Sequence, residues 1–299
     1  MFRFTNFLAA LIVLVDVLFG LPGTKVSQAE EEFGFPLSGG IRGSELLFDN
    51  QPVRILVGEI HGTAEIPPLV AVLVRSLSSK AETVLCLEIA ASEQPRLDAF
   101  FASDGGGGAV RALLSGPHWL MPDGRASKGY LEMLQLVRQL GRSGRRVRVV
   151  AIDVDFPLQG AAARQEPITP EEIVEFSRKR DQQMAVNVQQ VVAKYPIANL
   201  VVLVGNVHAS VHRGTAWDAE YKPLGWHLKQ RLPGLVSLNY QSSGGQAWVM
   251  SDKGAAGPRD ISGTGRGDKP FVELHETTTS GYDGILYVGR LTAVPAAKE

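Results

Sequence analysis

Five short stretches of the chain are apolar almost without interruption and rich in β-branched residues: 53–57 (VRILV), 83–87 (TVLCL), 147–152 (VRVVAI), 200–204 (LVVLV) and 235–238 (LVSL). A strand with one wet face alternates apolar and polar side chains, so runs of this kind predict strands covered on both faces. That is the condition of a parallel sheet between layers of helices. The intervening sequence supplies the covers. Helical patterns fall over 66–79, 93–101, 128–141, 170–194 and 224–231, and the longest opens on Thr169, Pro170 and Glu172 with the spacing of a capping box. The expectation is an α/β fold, a mainly parallel sheet flanked by helices, in a single domain over residues 30–299.

Two stretches read as loops. Residues 103–108 (SDGGGG) have too much backbone freedom to hold a helix, and they lead into 116–127 (GPHWLMPDGRAS), a connection long enough to act as a lid. Residues 251–269, rich in Gly and charge, predict a mobile connection. After it, 284–292 (GILYVGRLT) reads as a last strand, expected beside 246–250 (QAWVM).

The charge balance narrows the partners. Lys and Arg number 30 against 31 Asp and Glu, a net charge of -1, and no basic stripe follows a phosphate backbone, so nucleic acid is not an expected partner. The N-terminus differs from the rest. Arg3, the apolar stretch 7–21 broken only by Asp16, and Ser27-Gln28-Ala29 ahead of Glu30 predict a secretory signal peptide over 1–29, hence a periplasmic or secreted protein. That stretch is shorter than the roughly 20 residues of a membrane span, and nothing later is apolar enough to cross. Cys86 is the only cysteine, which rules out an intrachain disulfide and a thiolate zinc cluster, and the leader does not end in a cysteine that could carry lipid.

In an open parallel sheet, ligands bind at the carboxyl ends of the strands. Glu59 and His61 follow the first run, Glu88 the second, Asp153 and Asp155 the third, and Asn206 and His208 the fourth. Four buried strands each ending in ionisable or amide residues predict one shared site. His61 and His208 each stand three residues after a glycine, Gly58 and Gly205. A histidine titrates near neutrality, so His61 could take a proton from water while Glu59 or Glu88 holds its ring, and His208 could steady an oxyanion or protonate a leaving group. Glu59, His61, Glu88 and His208 are therefore the catalytic candidates. His118, Trp119, Arg180, Asp153 and Asn206 are the substrate-binding candidates. The plain alternatives are helix caps for the glutamates and turn formers for the aspartates. His212, His227 and His275 read as structural or exposed. G-x-S-x-G is absent and Cys86 lies within a strand, so a covalent nucleophile has no carrier. H-E-x-x-H is absent too, and a zinc triad of Glu59, His61 and His208 would need tertiary proximity that spacing does not reveal, which leaves a metal open.

These residues resemble a family. VGEIHGTAEIP (57–67) looks like the first motif of the erythromycin esterase-like proteins, G-E-x-x-H-G-T followed by an acidic residue, and is also similar to the haem-uptake lipoproteins of the ChaN group with their shorter G-E-x-H spacing. RKRDQQMAVNV (178–188) resembles their shared R-D-x-x-M-A-x-N helix, and LVGNVHASV (203–211) their later G-N-x-H-A strand end. With CLEIA around Glu88 and YDGILYVGRLT near the end, the likeness spans about 53–292. The wider assemblage includes the TraB and Tiki proteins, with two G-x-x-H motifs. In the esterase-like branch the resemblance implies His61 as the base for water, Glu59, Glu88 and His208 completing a site without metal, and Arg180 near the carboxylates or a substrate oxygen. The ChaN likeness implies instead a haem-binding protein with the histidines, Tyr130 and Trp119 as contacts; the Tiki likeness implies a metal-dependent peptidase. This chain has one residue fewer between Glu59 and His61 than the macrolide esterases and lacks their extra helical region, so a macrolide substrate is not implied. Gly62, Thr63 and Glu65 favour the esterase-like motif, and the lipid-bearing cysteine of the haem lipoproteins is missing. The expectation is an exported hydrolase acting on an ester, lactone or similar acyl bond of a small molecule, with no required cofactor. Haem or a divalent metal stands as the alternative.

Overall fold

The computed structural model describes residues 40–155, 169–250, 255–275 and 280–298. The expected signal peptide, 1–29, lies outside them. Two units divide at Gly40, and all elements below belong to the unit Ile41–Glu299. Strands β1 (Arg54–Glu59), β2 (Thr83–Ala90), β3 (Val147–Asp153), β4 (Asn199–Gly205) and β5 (Leu235–Gln241) coincide with the five apolar runs. The helices among them are α1 (Ile66–Ser78), α2 (Gln94–Ala102), α3 (Gly107–Leu113), α4 (Lys128–Arg142), α5 (Pro170–Lys194), α6 (Asn206–Ala209) and α7 (Leu224–Lys229). Four strands close the unit: β6 (Gly245–Met250), β7 (Ala256–Ile261), β8 (Phe271–Leu274) and β9 (Gly284–Tyr287).

The main sheet has seven strands in the order β3-β2-β4-β1-β5-β9-β8, parallel throughout except for the β8–β9 pair. Helices cover both faces, as the runs require. On one, Leu56, Val84, Cys86, Val202 and Val204 pack against Met184, Ala185 and Val188 of α5 and Leu224 and Leu228 of α7. The alternate residues Ile55, Val57, Leu85 and Leu87 are equally buried, and α1 meets β2 and β4 while packing on α4. Each large aliphatic side chain buried in this way contributes about 1.5–3 kcal/mol. Cys86 belongs to this core; burial pushes its thiol far above the ordinary range and leaves it inert.

Three local expectations give way to tertiary structure. The glycine run is a loop only as far as Gly106: Asp104 Oδ1 accepts from Gly106 N at 2.8 Å, which fixes the turn, and Gly107 and Gly108 open α3, which buries Leu113. Within 251–269, Ala256–Ile261 is a strand, paired antiparallel with β6 as a separate hairpin; its half-exposed side chains gave no apolar signal, and the partner strand supplies the order. The last strand, β9, runs between β5 and β8 rather than beside 246–250. Only Leu291, past its end, meets Gly245, with Gln246 N donating to Leu291 O at 3.0 Å.

The sheet edges are occupied. At β3, Gln94 Nε2 donates to Val149 O at 3.0 Å while its Oε1 accepts from Ala151 N at 2.7 Å. Beside it lies a groove of about 690 Å³ lined by Gln94, Phe101, Asn187 and Tyr195. At β8, Val272 N donates to Arg42 O at 2.8 Å.

Gly62 ties three remote segments to the end of β1. Its N–H donates to Gly124 O at 3.1 Å, and its carbonyl accepts from Trp248 N at 2.9 Å and Val294 N at 3.0 Å. Its φ of 69° is left-handed, and a Cβ there would run into the Trp248 carbonyl oxygen. Gly62→Ala is expected to cost about 2 kcal/mol or more, read as a lower urea midpoint at an unchanged slope.

Candidate active site

β2, β4 and β1 lie side by side at the centre of the sheet, and their carboxyl ends meet: Glu59 is in register with Gly205. Two glycines make the meeting feasible. A Cβ on Gly58 would lie 2.9 Å from Asn206 Cα and from Ala209 Cβ, so α6, the helix that carries His208, seats against β1 only because position 58 has no side chain. A Cβ on Gly205 would lie 3.1 Å from His61 Nε2 and 3.5 Å from His208 Cδ2. The repeated G-x-x-H pattern is thus one packing arrangement, with each glycine clearing space for the neighbouring strand's histidine segment. Glu88 sits where the β2–β3 register slips between Leu87 and Ala90, a bulge that re-aims a side chain.

Two carboxylate–imidazole pairs face each other across Glu88. His61 Nδ1 bonds Glu59 Oε1 at 2.9 Å, and His208 Nδ1 bonds Asp181 Oδ1 at 2.6 Å. Each remaining ring nitrogen turns toward Glu88, His61 Nε2 lying 3.9 Å from Oε2 and His208 Nε2 3.8 Å from Oε1. Arg180 holds the centre. Its Nη2 donates to Glu88 Oε1 at 2.5 Å and to Asp153 Oδ2 at 2.6 Å, and its Nε donates to Asp153 Oδ1 at 2.8 Å. Gly205 N donates to Glu88 Oε2 at 2.6 Å. The third guanidinium nitrogen, Nη1, lies 3.1 Å from His208 Nε2. A guanidinium only donates, so Nε2 accepts and the His208 proton sits on Nδ1, against Asp181. Asp181 is fully buried, and its Oδ2 accepts from Tyr221 Oη at 2.8 Å and Leu224 N at 3.0 Å. A second arginine approaches from the loop: Arg125, gripped by Asp123, brings Nη1 to 3.5 Å from Glu88 Oε1 and 4.0 Å from Asp153 Oδ2.

The protonation states follow from these contacts. Burial alone would raise the Glu88 pKa, but Arg180 and the two imidazoles outweigh it and hold the carboxylate well below the ordinary range. Burial disfavours the charged form of His61, yet the Glu59 hydrogen bond and the Glu88 charge reverse this and the net direction is upward. His208 also moves upward, Asp181 and Glu88 overcoming burial, with Arg180 pulling the other way. Glu59 is raised by burial against the opposing pull of His61. His118 goes the other way, with burial and the Arg125 charge lowering it to about 4, so it is neutral.

The structure brings Glu59, His61, Glu88, Asp153, Arg180 and His208 into one cluster. Arg180 is 13% exposed and points inward, away from any solvated helix face. Asn206 contributes backbone: its Cα packs over Gly58 and its carbonyl accepts from Tyr282 Oη at 2.8 Å. Trp119 is 1% exposed and belongs to the interior, edge-on to His118. Asp155 is exposed and accepts from Ser92. Asp181, Arg125, Asp123 and Tyr221 are the members that sequence reasoning passed over. For Asp181 a signal was present: with Met184, Ala185 and Val188 it completes an i, i+3, i+4, i+7 stripe of α5 that is wholly buried, an unusual place for a carboxylate. Arg125 and Asp123 come from a loop, where spacing carries no such signal. Among the described residues no group of three or more His, Cys, Asp or Glu side chains is arranged to hold a metal ion.

Helices on both faces of a mainly parallel sheet, with the polar cluster at its carboxyl edge, define an α/β protein of the erythromycin esterase-like fold. The match is to solved structures. A mutant of the erythromycin esterase EreC in its open conformation is 14% identical, with 83% of this chain and 93% of that one covered at a TM-score of 0.61. A Bacillus cereus protein is 12% identical, with 82% and 90% covered at 0.59. A succinoglycan biosynthesis protein is 10% identical, with 84% and 91% covered at 0.52. At such identities the likeness is one of fold. No family model and no curated protein matches the chain.

Removing the central cation should expose what it holds. Arg180→Met leaves Glu88 and Asp153 buried without their shared partner and is expected to cost about 3–5 kcal/mol in a denaturant titration. Arg180→Lys keeps the charge but loses the fork, and should fall between that variant and the parent.

Proposed function

We propose that the protein is a hydrolase of ester, lactone or similar acyl bonds in which His61 activates a water molecule directly. The observation that carries this reading is the unequal state of the two imidazoles. His208 Nε2 is occupied by Arg180, whereas His61 Nε2 has no hydrogen-bond partner among the described residues, is backed through Nδ1 by Glu59, and keeps 20% of its side chain exposed. An imidazole with one nitrogen fixed by a carboxylate and the other free is arranged to accept a proton.

The reaction balances on one histidine. As a water oxygen attacks the acyl carbon, His61 Nε2 takes the water's proton and Glu59 stabilises the resulting imidazolium. The tetrahedral intermediate then expels the alkoxide, which receives that proton from His61, so ester and water give acid and alcohol and the base is restored. Glu88 adds a fixed negative charge that favours the imidazolium. His208, with Asp181 behind it, serves as a positioning residue through its bond to Arg180, in place of the acid role that its location alone predicts. The fold shared with an erythromycin esterase agrees with acyl hydrolysis. Export is part of the same proposal and rests on residues 1–29 alone; no helix of the described residues is long and apolar enough to cross a membrane. Haem binding gains no support from the geometry, since Trp119, one of the contacts it would need, lies in the interior at 1% exposure.

His61→Ala should lower turnover by about 10²–10⁴-fold while the circular dichroism spectrum stays that of a folded protein, measured on any ester the parent hydrolyses. An unaltered rate would remove His61 from the chemistry. The base must be neutral and its pKa is raised above 6.5, so kcat/KM should climb with pH through an inflection above that value. Glu59→Gln removes the largest raising contribution, so the inflection should shift to lower pH as the plateau falls.

A further inference from the structure

Two buried polar atoms near this cluster have no hydrogen-bond partner among the described residues: Tyr130 Oη and His118 Nε2. Tyr130 is 3% and His118 9% exposed, and an unmade hydrogen bond on a buried group is costly, so native structures carry few without a reason. The two rings are 6.5 Å apart, and each is fixed from behind. Ser127 caps α4 through Tyr130 N, and His118 N donates to the buried Glu93 at 3.4 Å. The first turn of α4 also lies against the chain just after His61, since a Cβ on Gly129 would sit 2.6 Å from the Thr63 carbonyl oxygen. Through that approach and the 6.5 Å between them, both rings lie on the side of the cluster where the chain leaves His61. Arg125 adds a third donor there, because Nη1 approaches Glu88 and Asp153 only at 3.5 and 4.0 Å and makes no hydrogen bond among the described residues.

We propose that Tyr130 Oη, His118 Nε2 and Arg125 Nη1 form an oxygen subsite that receives the carbonyl oxygen of an uncharged acyl substrate and stabilises the negative charge that develops on it. This rests on the hydrolase reading and assigns its missing electrophilic half. An uncharged oxygen fits better than a carboxylate, since Glu59, Glu88, Asp123, Asp153 and Asp181 already outnumber Arg125 and Arg180. Tyr130 is raised well above 10 and remains a donor, and His118 is neutral, so one of its ring nitrogens carries a proton. When the water oxygen bonds to the acyl carbon, the carbonyl π electrons move onto the oxygen in this subsite; they return as the alkoxide leaves. Donors placed where charge appears only in the transition state raise kcat rather than lower KM.

The test pairs one atom of the protein with one atom of the substrate. Hydrolysis of phenyl acetate and of its thiono analogue, in which sulfur replaces the carbonyl oxygen, is measured for the parent and for Tyr130→Phe. The subsite predicts that Tyr130→Phe loses about 10²-fold in kcat on the oxygen ester with KM within about threefold, and that its preference for oxygen over sulfur shrinks. It also predicts a higher melting temperature for ligand-free Tyr130→Phe, because an unpaired buried hydroxyl is gone. An oxygen-over-sulfur preference equal to the parent's overturns the proposal and leaves Tyr130 the partner of a buried water only. If the parent hydrolyses neither ester, the hydrolase reading fails on its own, and the subsite is judged by binding of phenyl methylphosphonate, whose tetrahedral anionic oxygen mimics the developing charge, to the protein with and without Tyr130→Phe. A tenfold loss of affinity sustains it and equal affinity overturns it.

Discussion

Arg180 is the interaction on which the rest of the site depends. It reaches Glu88 at the end of β2, Asp153 at the end of β3 and His208 on α6, so three segments far apart in sequence are joined by one planar cation. A buried guanidinium is tolerable only when its donors are matched, and here all three nitrogens have acceptors. The same matching keeps Glu88 ionised in a place where burial would otherwise neutralise it. Asp181, next to Arg180 on α5, then fixes the ring that accepts from Arg180, so a single turn of helix sets both the cation and the tautomer of His208.

The two carboxylate–imidazole pairs look alike in composition and differ in consequence. Both histidines are backed at Nδ1, both face Glu88, and both are shifted upward. What separates them is the occupant of Nε2. Arg180 takes the lone pair of His208 and stops short of His61, and the chemical asymmetry of the site follows from that one contact. The glycines at 58 and 205 are its precondition, because a methyl group at either would push the strand ends and rings apart.

Much of this was legible in the sequence, for reasons that vary with the residue. The five strands declared themselves because burial on both faces erases the polar alternation, and Glu59, His61, Glu88, Asp153 and His208 were visible because ionisable residues directly follow such runs. α5 announced its start through Thr169 and Glu172, which do form the reciprocal cap. Asp181 was on view but passed over, since a charged residue on a long polar helix reads as solvated until the apolar stripe containing it is drawn. Arg125 and Asp123 had no periodic signature, because a loop places its side chains by tertiary contact alone. The same cause hid β7, whose partner strand and not its own composition makes it extended. Gly107 and Gly108 erred in the opposite direction: glycine freedom is an average tendency, and the turn fixed by Asp104 lets the helix begin inside the glycine run.

The amide of Gln94 has a consequence beyond the chemistry. It donates to one peptide carbonyl of β3 and accepts from the next available N–H, which is what a residue of an eighth strand would do. A border strand with unspent backbone groups is a template for recruiting another polypeptide, and a chain with a single, buried cysteine has no covalent clasp to guard it. A side chain imitating a peptide group ends the ladder from within, and together with Arg42 at the far margin it leaves neither border of the sheet an untouched invitation to aggregate.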